Sequence, residues 1–175
     1  MEPIFSKTAM FTGHRLISAD ERLRLRAELP QVIRGLYQEG IDTYLCGAAI
    51  GFDTLAGELV LELRDSGLPI RLVLAIPCIH QDALWSVSDR NAYAALMERA
   101  DQTLYISYTP YYNGCMQLRN RYMVDTSSVC IAYFNGSALG GTASTCRMAV
   151  KAGRRLIHLG RPDHDGQLNL EDVDE

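Results

Sequence analysis

The sequence predicts a Rossmann-like α/β fold in which a mainly parallel sheet is covered by helices on both faces. Three observations carry that prediction. Apolar runs rich in β-branched or aromatic residues recur at "TAMFTG", "TYLCGA", "IRLVLAIP", "QTLYIS", "VCIAYF" and "RLIHLG". Segments of helical periodicity separate them, so strands and helices alternate from end to end. The runs are also nearly continuous in their apolar character, as strands buried on both faces require.

Each element has a local justification. The first helix is expected within residues 19 to 39, with Ser18 or Asp20 as its cap and Gly40 as its stop. Leu23, Leu25, Leu29, Ile33 and Leu36 supply its apolar positions, and Pro30 predicts a kink or a break. "DTLAGELVLELRDSG" gives a second helix with Leu55, Leu59 and Leu63 on one side and Gly67 as its stop. "SVSDRNAYAALMERA" gives a third, capped by Ser86 or Ser88; "MQLRNRYMVDTS" gives a fourth and "TASTCRMAVKAG" a fifth.

At 175 residues the chain fits a single domain spanning 1–175, with residues 161–175 a peripheral acidic tail. A hydrophobic content of 47% with 22% charged residues is ordinary for a globular protein. The longest apolar stretches are too short to span a bilayer and the N-terminus lacks a signal-peptide pattern, so a cytoplasmic location is expected. Cys46, Cys78, Cys115, Cys130 and Cys146 form no C-x-x-C pair and read as reduced core thiols, with Cys115 alone in polar, turn-like surroundings. His14, His80, His158 and His164 show no metal-ligand spacing, so no metal is expected. The net charge of −4 and the lack of a Lys/Arg stripe weigh against nucleic acid as a partner.

In a parallel sheet the ligand crevice lies at the carboxyl ends of the strands. There the first strand leads into Gly13, His14 and Arg15, a turn with two cationic or hydrogen-bonding side chains for an anion; a solvated surface turn is the plain alternative. The second leads into "CGAAIGFD", where Gly51 permits close approach of a phosphate at a helix start. Ala49 stands where G-x-G-x-x-G needs its second glycine, and no G-x-x-x-x-G-K-[ST] occurs, which excludes the ordinary dinucleotide fingerprint and the P-loop. The fifth strand leads into Gly136, Gly140 and Gly141, then Thr142, Ser144 and Thr145: a phosphate seat, or only a strand stop and helix cap.

In "RNRYMVDTSS", Arg121 and Asp125 are spaced for an i, i+4 ion pair. The functional alternative has Arg119 or Arg121 holding a phosphate while Asp125 orients it or binds a ribose hydroxyl. Tyr111 and Tyr112 can flank a base or divide between core and lid; Trp85 reads as packing or loop anchoring.

Taken in order, "FTGHR", "CGAAIGFDTLAGE", "IPCIHQDALWSVSDRNAY", "YYNGCMQLRNRYMVDTSSVCIAYFNG" and "GGTASTCRMAVKAGRRLI" closely resemble the YpsA-like branch of the SLOG superfamily, which also holds the DprA/Smf and LOG proteins. The resemblance implies a modified Rossmann fold with a nucleotide-related pocket, in many members within an oligomer. It matches Gly47, Gly51 and Asp53 to the segment that begins the crevice, and Gly140, Gly141, Thr142 and Thr145 to the phosphate-binding turn. LOG enzymes carry P-G-G-x-G-T-x-x-E, whose glutamate takes part in N-glycosidic cleavage. Here Cys146, Arg147 and Met148 follow instead.

The leading expectation is therefore a cytosolic protein, homo-oligomeric by family analogy and with no cofactor identified. It would bind a nucleotide or nucleotide derivative, ADP-ribose-like ligands included, in a sensing or regulatory role. A nucleoside-monophosphate phosphoribohydrolase is the alternative, with Asp53, Glu58 and Asp125 as the available carboxylates. Single-stranded DNA binding, by analogy with DprA, is third and is disfavoured by the acidic balance.

Overall fold

Successive strand side chains point to opposite faces of a sheet, so strands apolar throughout need cover on both sides. The computed structural model, which describes residues 1–134 and 140–160, supplies that cover. In chain order the elements are β1 (Thr8–Gly13), α1 (Ala19–Gln38), β2 (Thr43–Cys46), α2 (Phe52–Asp65), β3 (Arg71–Ile76) and α3 (Val87–Arg99). They are followed by β4 (Gln102–Tyr105), α4 (Cys115–Thr126), β5 (Val129–Tyr133), α5 (Gly141–Lys151) and β6 (Arg155–His158). Every strand pairing is parallel, in the order β4-β3-β2-β1-β5-β6.

The alternation is visible residue by residue. Phe11, Tyr44, Leu74 and Ile131 face a core built with Leu25 and Ile33 of α1, Leu55 of α2 and Leu96 of α3. Their neighbours Met10, Leu45, Val73 and Cys130 face Met123 and Val124 of α4 and Ala149 of α5. Burying each large apolar side chain contributes roughly 1.5–3 kcal/mol, so the two layers fix the sheet between them.

Helix α1 departs from the sequence expectation twice. Ser18 caps it, accepting from the Glu21 N–H at 3.2 Å, and Leu25, Leu29, Ile33 and Leu36 are buried, but Leu23 is 69% exposed. The inward stripe advances by three or four residues, so a leucine two positions before Leu25 lies on the outer side. Of the kink or break expected at Pro30, the break does not occur: α1 is one continuous element through it. Buried residues on both sides of Pro30 hold the two halves on one core and outweigh the hydrogen bond that proline cannot donate.

Cys115 also lies elsewhere than its polar neighbours suggested. Gly114, in the left-handed region at φ 98°, turns the chain into α4, and Cys115 is fully buried at its first position. All five cysteines are buried.

The topology sets the place of the site. The chain moves outward from β1 to β4, then α4 carries it back to β5 on the other side of β1. The carboxyl ends of β1 and β5 thus flank the point where the strand order reverses, where open α/β sheets form their crevice. Among the described residues no helix is long and apolar enough to cross a membrane. Gly136 and the acidic tail lie outside the described residues.

Because α1 tolerates a proline at a cost, Pro30→Ala should stabilise the protein by about 1–3 kcal/mol, read as a higher denaturant midpoint. An unchanged or lower midpoint would show that the ring contributes packing equal to the missing bond.

Candidate functional site

The carboxyl ends of β2 and β3 present carbonyl groups that need donors. Arg119 of α4, only 6% exposed, supplies them: Nη1 donates to the Gly47 carbonyl at 2.9 Å and to the Ala75 carbonyl at 3.3 Å. Its Nε donates to Asn120 Oδ1 at 2.8 Å, which fixes the amide of Asn120. Asp53, in the first turn of α2 and 7% exposed, accepts from the Ala49 N–H at 3.3 Å through Oδ2. Burial raises the Asp53 carboxyl from 3.8 to about 6, against the opposing pull of Arg119, the Ala49 N–H and Arg15. Burial likewise lowers the Arg119 guanidinium from its ordinary value while Asp53 holds it up.

Above this pair opens a cavity of about 270 Å³. Gly13, His14 and Arg15 border it from the end of β1 and the turn after it, Asp53 from α2, Arg119 and Asn120 from α4, and Gly141 and Thr142 from α5. Asp53 is the one carboxylate among its described lining residues. Arg15 is exposed, and its guanidinium makes no hydrogen bond among the described residues. α5 is preceded at its N-cap by Gly140, which has φ 103° and offers no side-chain cap. The first-turn amide donors of a helix have no helical acceptor, and here they border the cavity.

The glycines divide by what occupies the space of their missing Cβ. At Gly13 a Cβ would collide with the Phe52 ring, and at Gly47 with the Arg119 guanidinium. At Gly51, with φ 85°, it would collide with the Arg15 carbonyl, where the close approach lets the Phe52 N–H donate to the His14 carbonyl at 3.1 Å. These three fit protein to protein. Gly140 and Gly141 meet nothing within 4 Å.

Other expected residues sit apart from the cavity. Arg121 and Asp125 are exposed on α4 and do not line it, because Arg119 sets the inward phase of the helix and positions two and six residues on lie outside it. Thr145 is buried, its hydroxyl donating back to the Gly141 carbonyl at 2.8 Å. Thr12, next to last in β1, lines the cavity too, as do Met116 and Asn120, which were not anticipated. Asn120 adjoins Arg119 in sequence, yet only the tertiary placement of that arginine gives it a role. No group of three potential metal ligands occurs among the described residues.

Arg15 and Met116 also border a second groove of about 750 Å³, walled by Ile79, Leu84, Trp85, Pro110 and Tyr111. Trp85 packs edge-on against Tyr93 at 5.4 Å between ring centroids.

The raised Asp53 carboxyl has a signed consequence. A group that holds its proton more tightly folded than unfolded favours the folded state at low pH, and that stability is lost as pH rises from 3.8 through about 6. The loss is on the order of 3 kcal/mol. Urea-unfolding free energies measured across this window should decline more steeply for the native protein than for Asp53→Asn; parallel profiles would show that Asp53 is not the titrating group.

Comparison with known proteins agrees with this architecture. The chain is 28% identical over 162 residues to the uncharacterized SPbeta prophage-derived protein YoqJ of Bacillus subtilis, covering 85% of this chain and 94% of that one. It is 25% identical over 128 residues to UPF0398 protein BH1768 of Halalkalibacterium halodurans, covering 73% and 68%. Among solved structures, DNA processing protein A from Helicobacter pylori, studied for its single-stranded DNA binding mode, superposes with a TM-score of 0.64 at 19% identity, over 94% of this chain and 68% of that one. DprA from Streptococcus pneumoniae gives 0.62 at 17%, over 88% and 50%. At such identities these two share the fold. The YpsA family model, described as the YspA SLOG family, matches residues 18–156, and with the parallel sheet in place the chain belongs to the YpsA-like branch of the SLOG superfamily.

Proposed function

We propose that this protein binds a nucleotide or nucleotide-derived anion, ADP-ribose-like ligands included, in the cavity between β1 and α5, and acts by sensing it. One observation carries the reading: the glycine-opened start of α5, without a side-chain cap, and an arginine with no hydrogen-bond partner among the described residues line one cavity at the switch point of the sheet. Helix N-terminal amides and a guanidinium fork are the groups that receive phosphate. The same reading places the protein in the cytoplasm, as a homo-oligomer acting on a small molecule without a cofactor.

A second reading rests on Asp53. A carboxyl held near 6 beside a cavity can act as the acid that assists departure of a base from a nucleoside monophosphate. Against it, α5 carries no acidic residue, and Asp53 has no second carboxylate beside it in the described lining.

Gly141→Val tests the first reading, since a Cβ there meets no described protein atom within 4 Å and Gly141 lines the cavity. The variant should keep its ligand-free melting temperature and bind AMP or ADP-ribose at least about tenfold more weakly by thermal shift. Gly13→Ala should instead lower the melting temperature, because the Phe52 ring occupies that space. Undiminished binding in Gly141→Val would remove α5 from the site. Free base accumulating from AMP, and lost in Asp53→Asn, would establish the second reading.

A further inference from the structure

The larger groove continues from the polar cavity across Arg15 and Met116. Its wall is held in place: the Ile79 N–H donates to the Thr109 carbonyl at 3.0 Å, and the Trp85 N–H to the Asp82 carbonyl at 3.0 Å. Trp85 is braced by Tyr93, while Tyr111, on the segment before α4, is 66% exposed beside the groove. Rigid aromatic surfaces of this kind stack flat heterocycles.

Gln81, which lines the groove, is the unexplained group. It is 9% exposed, and its Nε2 donates at 3.3 Å to the Gly47 carbonyl, the same oxygen that receives Arg119. Anchoring Nε2 there sets the orientation of the amide beside the Tyr93 side chain, and Oε1 makes no hydrogen bond of accepted geometry among the described residues. A buried acceptor without a partner is uncommon in native folds and marks a place where a donor is missing. The polar cavity offers cations and amide donors to a phosphate, and the groove offers aromatic faces with one unsatisfied acceptor to a base.

We propose that the groove seats a flat heterocycle whose N–H edge donates to Gln81 Oε1, so that the ligand is a free nucleoside 5′-phosphate and Gln81 reads its base. The proposal rests on the phosphate assignment made above. It makes Gln81 a specificity-determining residue, coupled through one carbonyl to the guanidinium under the phosphate.

The chain's single tryptophan reports on the groove directly. Ribose 5-phosphate and the four common nucleoside 5′-monophosphates are titrated against the full chain by isothermal calorimetry and by Trp85 fluorescence. At least one nucleotide should bind tenfold or more tightly than ribose 5-phosphate and quench Trp85, which the sugar phosphate leaves unchanged. In Gln81→Leu that preference should fall at least tenfold while ribose 5-phosphate affinity holds. Trp85→Phe, which keeps an aromatic ring against Tyr93, should lose the signal and retain calorimetric binding. Should ribose 5-phosphate bind as well as every nucleotide, the base subsite is overturned and the phosphate assignment stands. If neither sugar phosphate nor nucleotide binds, the phosphate assignment falls and takes the subsite with it. Displacement of the nucleotide by a single-stranded oligonucleotide at lower concentration would overturn the assignment to a free nucleotide.

Discussion

The Arg119 guanidinium, buried on the carbonyls that finish β2 and β3, is the contact on which the site depends. It locates α4 over the sheet, leaves no room for a side chain at Gly47, orients Asn120, and gives Asp53 a counter-charge in the interior. Breaking a buried charged arrangement by removing one member leaves the other uncompensated. Arg119 is therefore part of the floor of the cavity, with all three of its nitrogens already committed to protein acceptors: Nε to Asn120, Nη1 to Gly47 and Ala75, and Nη2 to the Met116 sulfur at 3.8 Å. Among the described lining residues, the exposed Arg15 is the arginine whose guanidinium makes no hydrogen bond.

The layered fold was legible because both faces of the strands are apolar, a pattern that few arrangements other than a helix-covered parallel sheet can bury. Errors arose where tertiary packing overrides local chemistry. Pro30 breaks isolated helices, but here one stripe of buried residues holds both flanks. For the site, the loops were legible and the roles within them were not. A glycine shows that something passes close by without showing what: at Gly13, Gly47 and Gly51 the neighbour is a ring, a guanidinium and a carbonyl of the same chain. Arg119 and Arg121 are equivalent in composition and differ only in helical phase, which no local motif fixes. Gln81 gave no signal, since its interest lies in an acceptor left unpaired by folding.

Within the family setting, α5 is the element on which the two proposed readings differ. Its sequence, GTASTCRMAVK, has no carboxylate, and Cys146 packs with Ala132, Phe134 and Ala143. The part of the helix just past its first turn is thus given to core packing. Asp53, rising from the opposite side of the cavity on α2, is the residue through which chemistry could enter, and it is held by Ala49 and faced by Arg119.

The strand order also bears on when the cavity can come into being. β1 pairs with β5, Ala9 opposite Val129, so its two walls come from opposite ends of the polypeptide. During synthesis, β1 to β4 with α1 to α3 emerge first and can assemble one layer of the core, yet β1 keeps an unpaired edge until β5 arrives. Closing that long loop is the slow, entropically costly part of reaching this topology. A nascent or truncated chain lacking α5 has no complete cavity, which forms only in molecules whose assembly is finished.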